Sequence, residues 1–134
     1  MTMTMKIEVV PIPVTDVDRA KAFYVDQVGF NADHDHRVSE TLRFVQLTPP
    51  GSACSIVLGE GVVEMAPGQQ KGVMMVIESA DQTLAELRGR GVETSEIVEM
   101  DWGRFIYFAD PDGNTWALQE LPDYAAAKQT PAEA

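Results

Sequence analysis

Short β-rich runs, in which apolar and polar positions alternate, fill most of this chain, and two stretches interrupt them with helical spacing. Residues 7–14 (IEVVPIPV) predict a strand. Pro11 and Pro13 lie inside it and cannot donate to a ladder, so its pairing should be at an edge or interrupted. In TDVDRAKAFYVDQVG, Val17, Ala20, Phe23 and Tyr24 recur at helical spacing. Thr15 or Asp16 suits the N-cap, Asp18 the first turn and Gly29 the exit. Residues 30–38 and 42–48 predict strands, TPPG a turn, and 54–58 a short apolar strand. Residues 59–72 (GEGVVEMAPGQQKG) read as a linker or mobile loop. The order then recurs: a strand over 73–77, a helix over 80–90 with Leu84 and Leu87 inward, and strands over 92–98, 104–108 and 114–121. Residues 123–134 are small and polar and predict a frayed tail.

The recurrence shows in the residues. VVPIPVTDVDRAKAF lines up with VMMVIESADQTLAEL, with Asp16 opposite Asp81 and Ala20 opposite Ala85. RFVQLTPPG lines up with RFIYFADPDG once one gap is allowed. Each half reads β-α-β-β-β. The expectation is an α+β fold of two modules, 5–58 and 73–122, joined by the 59–72 linker.

Composition narrows the function classes. A chain of 134 residues accommodates one domain or two small half-domains. Its net charge of −11 argues against nucleic acid and anionic membranes, which need a basic face. No apolar run approaches a membrane span. The start, MTMTMKIEVV, lacks the pattern of a signal peptide, and the single cysteine, Cys54, allows no intramolecular disulfide. Both favour a cytoplasmic location. Cys54, in an apolar strand, reads as an inert core thiol. Neither Ser52 nor Ser55 has the context of a nucleophile, and no loop is built to cradle phosphate.

Two stretches, IPVTDVDRAKAFYVDQVGF and FADPDGNTWALQE, resemble the vicinal oxygen chelate superfamily of glyoxalases, bleomycin-resistance proteins and extradiol dioxygenases. DPDGN is the more specific, and physically it is a turn. Asp110 bonds the backbone ahead, Pro111 presets φ, and Gly113 accepts a left-handed conformation. The resemblance covers nearly all of residues 5–122. It implies paired βαβββ modules whose curled mixed sheets form a cleft, and it implies a homodimer.

In catalytic members of that superfamily, a divalent metal is held from the first and last strand of each module. Carried over by position, those ligand sites fall on Val9, Met74, Ala117 and either Ser55 or Ile56. None suits a hard divalent ion, so the expectation is no metal and no cofactor. His34 and His36 share a strand face by parity, but DHDHR reads better as a solvated edge than as a metal site.

Strand parity gives a face for ligand binding: Val9, Phe44, Gln46, Met74, Glu78, Phe105, Tyr107, Ala117 and Gln119, with Trp102 reaching over the rim. The surface is apolar and aromatic with a few polar points, as small-molecule pockets are. A filled core between sheets needs the same residues. The leading reading is a metal-free binding protein holding an apolar or aromatic compound, a cationic one included. The alternatives are an enzyme of the same fold (a lyase, isomerase or dioxygenase-like protein, either metal-independent with Tyr107, Glu78 or a histidine as acid or base, or metal-dependent through ligands at other positions) and a regulatory partner-binding module. No catalytic residue is assigned.

Overall fold

The computed structural model describes residues 2–122; the tail expected at 123–134 lies outside the described residues. It contains two βαβββ modules, each a mixed four-stranded sheet with one helical element. By contact the chain divides into two compact units. The first holds the residues up to Lys71 together with Ala109–Thr115, and the second holds Gly72–Phe108 and the chain from Trp116.

The first module comprises β1 (Val9–Pro11), α1 (Val17–Ala22), a π-helical segment (Phe23–Val28), β2 (Asn31–Arg37), β3 (Arg43–Thr48) and β4 (Ser55–Glu60). Its strands lie in the order β1-β4-β3-β2, with β1 parallel to β4 and the other pairs antiparallel. Pro11 ends an edge strand, where its missing N–H leaves no partner stranded. Strand β1 is therefore shorter than the apolar run predicts, and Pro13 falls beyond it. Asp16 is the N-cap, its carboxylate accepting from Arg19 N at 3.0 Å. The wider turn after Ala22 is not visible in the spacing, because α and π turns need the same apolar residues. Gly29 closes it in the left-handed region at φ 101°, and the amides of Gly29 and Phe30 both donate to the Tyr24 carbonyl. Ile12, Val45, Leu47, Ile56 and Leu58 are buried on the sheet face that α1 covers.

The second module comprises β5 (Val73–Ile77), α2 (Ala80–Gly89), β6 (Val98–Met100), β7 (Gly103–Ala109) and β8 (Thr115–Glu120), ordered β5-β8-β7-β6. Ser79 caps α2 by accepting from Gln82 N. The Ala80 amide donates to Glu120 at 2.7 Å, fixing the helix to the end of β8. Ile106, Phe108, Trp116 and Leu118 form the buried face, with the Phe108 and Trp116 rings stacked at 6.2 Å. Leu84 is only half-buried. The strand expected over 92–98 reduces to β6 and an isolated bridge from Thr94 to Phe108. Cys54 lies before β4 and is half-buried rather than in the core.

The helix caps correct the internal alignment. Asp16 corresponds to Ser79, so it is Asp18, not Asp16, that matches Asp81. The pairing agrees: Pro11 meets Val57 as Met74 meets Ala117.

Candidate functional site

Each sheet has a second face, opposite its helix, and register says what lies on it. In the first module Val9 pairs with Ser55, Pro11 with Val57, Val57 with Gln46, and Gln46 with His34. Phe44 pairs with His36. All of these side chains therefore share one face. A polar chain crosses it. Gln46 Nε2 donates to Ser55 Oγ at 3.2 Å, Ser55 Oγ and Thr48 Oγ1 are 2.6 Å apart, and Thr48 Oγ1 donates to Asp33. Asp33 joins this chain because the register shifts between Ala32 and His34. Simple alternation does not reveal such a bulge. The rings of His34 and His36 stack at 5.8 Å on the exposed edge strand β2.

The corresponding face of the second module is less polar. Met74 pairs with Ala117 and Val76 with Gln119. Phe105 and Tyr107 alternate onto the same face, their rings stacked at 6.1 Å. Phe105 and Ala117 are buried. Met74, Val76, Trp102 and Tyr107 are 53, 63, 58 and 38 % exposed. Gln119 Nε2 donates to the Trp102 carbonyl at 2.8 Å, which ties the rim to β8. Glu78 is exposed, one residue past the end of β5.

The DPDGN turn behaves differently from a simple hairpin loop. Asp110 and Asn114 are buried, and Asp110 accepts from four donors: Tyr24 Oη at 2.7 Å, Asn114 Nδ2, and the amides of Asp112 and Asn114. Asn114 Nδ2 also donates to the Pro13 carbonyl, and Thr15 donates to Asp112 through both its amide and its hydroxyl. Residues 109–115 thus pack as part of the first unit although they connect two strands of the second module's sheet.

Residues 6–118 match the Glyoxalase/Bleomycin resistance protein/Dioxygenase superfamily. The chain belongs to this superfamily. Among solved structures, it is similar to the antibiotic binding protein TnmS3 from Streptomyces sp. CB03234, with 32% identity and a TM-score of 0.82, covering 91% of this chain and 100% of that one. A glyoxalase/bleomycin resistance protein from the same Streptomyces is 34% identical with a TM-score of 0.76, covering 86% of this chain and 100% of that one. The uncharacterized protein YetH of Bacillus subtilis (strain 168) is 31% identical, covering 88% of this chain and all of the relative.

Within the superfamily frame, the metal-ligand positions can be tested against the register. Ser55, not Ile56, stands beside Val9; Ile56 turns toward the helix. By the cap correspondence Val9 matches Gly72 and Pro11 matches Met74. The first-strand and last-strand positions on the open faces are therefore Val9, Pro11, Ser55 and Val57 in one module and Gly72, Met74, Thr115 and Ala117 in the other. Whichever pair is chosen in each module, the donors are at most hydroxyls and one thioether. That set does not fit a divalent metal held by carboxylate oxygen or imidazole nitrogen. Among the described residues, no three His, Cys, Asp or Glu side chains cluster to hold a metal elsewhere.

The strongest electrostatic feature lies on the helix-covered side. Arg43 makes paired contacts of 3.0 and 2.9 Å to Asp35 and reaches Asp18 at 2.9 Å, while Lys21 meets Asp35 at 2.8 Å. Hydrogen bonds from Arg43, then Lys21, hold the Asp35 carboxyl well below the usual carboxylate range, and Asp35 in turn raises Arg43. Arg104 occupies the matching position in the second module and contacts Asp81, Glu99 and Glu120. These pairs brace helix against sheet, and among the described residues no salt bridge lies on the open faces.

Proposed function

We propose that this protein binds an apolar or aromatic small molecule on the open faces of its sheets and does so without a resident metal. One observation carries the reading: the second module exposes Met74, Val76 and Tyr107 on one face of its sheet, with Trp102 exposed in the turn before β7. Large exposed apolar patches mark binding surfaces. Similarity over nearly the whole chain to an antibiotic binding protein supports the ligand class. The absence of carboxylate or imidazole at the superfamily's ligand positions supports binding over metal-assisted chemistry. Tyr107 offers a stacking face and a hydroxyl, and Gln119, though tied to Trp102, offers a polar edge beside it. In the first module Val9 and Phe44 offer apolar contact, and Gln46 and Ser55 offer hydrogen bonds. Glu78 favours a cationic substituent. Phe105 and Ala117 lie on the same face and are buried. A homodimer in the cytoplasm belongs to the same reading.

The test is a thermal-shift screen against aromatic antibiotics and fused-ring metabolites. Hits are then titrated by fluorescence, since Trp102 is exposed and Trp116 is buried. Tyr107→Ala and Met74→Glu should each weaken a hit by about fivefold, equivalent to roughly 1 kcal/mol of stacking or contact. Unchanged affinity in both variants would place the ligand elsewhere. Elemental analysis finding one tightly held metal per chain would sink the metal-free part alone.

A further inference from the structure

A groove of about 410 Å³ lies within the first module, lined by Pro11, Gly61, Val62, Val63, Glu64 and Met65. None of these residues carries the reading above. Pro11 closes the edge strand β1 on the open face, and the segment after β4 folds back to form the opposite wall. Two glycines allow that fold. A Cβ on Gly59 would run into the Arg43 carbonyl and stand 2.7 Å from Val62 Cγ2. A Cβ on Gly61, which is left-handed at φ 78°, would stand 2.7 Å from the Thr41 carbonyl. The wall is therefore held against the start of β3 by backbone contact that only glycine permits.

The chemistry of the lining is uneven. Four of the six residues are apolar, and one is a carboxylate. Glu60, four positions earlier, is paired with Arg37 at 2.7 Å. Glu64 has no hydrogen-bond or ion-pair partner among the described residues, and it stands exposed at the lip of an apolar groove. The net charge of −11 adds a field of the same sign. We propose that this groove is a binding site for an organic cation with an apolar body, its protonated amine or quaternary ammonium set against Glu64 and its hydrocarbon against Pro11, Val62, Val63 and Met65. The groove is open, so it would hold one side of such a ligand rather than enclose it. The site rests on the reading that this chain binds small molecules, but on residues separate from the second module's face.

Two fluorescent probes that share one ring system separate the terms: 1-pyrenemethylamine, which is cationic at pH 7, and 1-pyrenemethanol, which is neutral. The amine should bind wild type about three- to fivefold more tightly than the alcohol, the range of an exposed ion pair, and added salt should narrow the gap. Glu64→Gln should erase that preference without weakening the alcohol, and Glu64→Lys should invert it. Gly61→Val, which pushes the wall away from Thr41, should weaken both probes. Tyr107→Ala should leave the amine preference intact. If Glu64→Gln retains the preference while Tyr107→Ala abolishes it, the groove proposal falls and the sheet-face reading stands. No binding of the amine to wild type also overturns the groove, whatever the antibiotic screen returns for the face.

Discussion

The two modules share a backbone plan and differ in what they put on it. In each, a parallel strand pair lies beside the central antiparallel strands, and the third strand carries an arginine in its first two positions, Arg43 or Arg104. Each arginine reaches an aspartate in the first turn of its own module's helix, Asp18 or Asp81. The open faces diverge. Gln46 holds the position that Tyr107 holds in the second module. Around Gln46 the first module builds a hydrogen-bonded chain through Ser55, Thr48 and Asp33, whereas around Tyr107 the second leaves Met74 and Val76 exposed. Helix-side residues are constrained by packing in both copies. On the open faces Ser55, Val57, Phe105 and Ala117 are buried, whereas Met74, Val76 and Tyr107 are exposed, and it is at such exposed positions that the two copies can acquire different chemistry.

If each module has its own core, mutations there should act at full strength. Phe108→Ala removes a buried ring stacked on Trp116 and should cost about 3–5 kcal/mol in urea unfolding. A loss under about 1 kcal/mol would mean the strand parity, and with it the face assignment, is wrong.

Asp110 tests where one module ends. Asp110→Ala should cost about 2–3 kcal/mol, because the Tyr24 hydroxyl and the Asn114 amide are left buried with lost partners. Hydrogen exchange should show the loss first around Tyr24 and Pro13. If protection falls first in β6 and β7 instead, the turn belongs energetically to the second module.

The face difference predicts unequal binding effects. For a neutral aromatic ligand, Tyr107→Ala should weaken affinity about fivefold and Gln46→Ala less than twofold. Equal effects in a fluorescence titration would erase the functional distinction between the faces.

The smallest effect concerns acid. The Asp35 carboxyl is depressed in the folded state, so its contribution is complete above the ordinary aspartate value near 4 and is lost as pH falls toward the folded value. Because the pair is partly exposed, the loss should be below about 1 kcal/mol. Asp35→Asn should flatten stability below about pH 4.

Much of this was legible in the chain. Asp16 as cap, Gly29 as exit, the burial of Phe23, Leu87 and Leu118, and the two-module order follow from local chemistry: a cap needs an acceptor, a left-handed exit needs glycine, and a packed face needs period-matched apolar residues. Those constraints act within one turn or one strand. The same parity placed Val9, Gln46, Met74, Tyr107 and Ala117 on the faces where they lie.

Tertiary structure decided the rest. The π turn after Ala22 aims Tyr24 at Asp110, a partner in a distant segment. The bulge between Ala32 and His34 brings Asp33 into the polar chain on the open face. Phe105 and Ala117 are closed over, while Tyr107, two positions along, stays open. DPDGN reads locally as a turn, and it is one, yet its buried carboxylate and amide fasten the first unit. Sequence determines what a residue can bond and which way alternation turns it. Which residue meets it from far along the chain depends on how the strands and loops pack, because those partners are set by burial and not by neighbourhood.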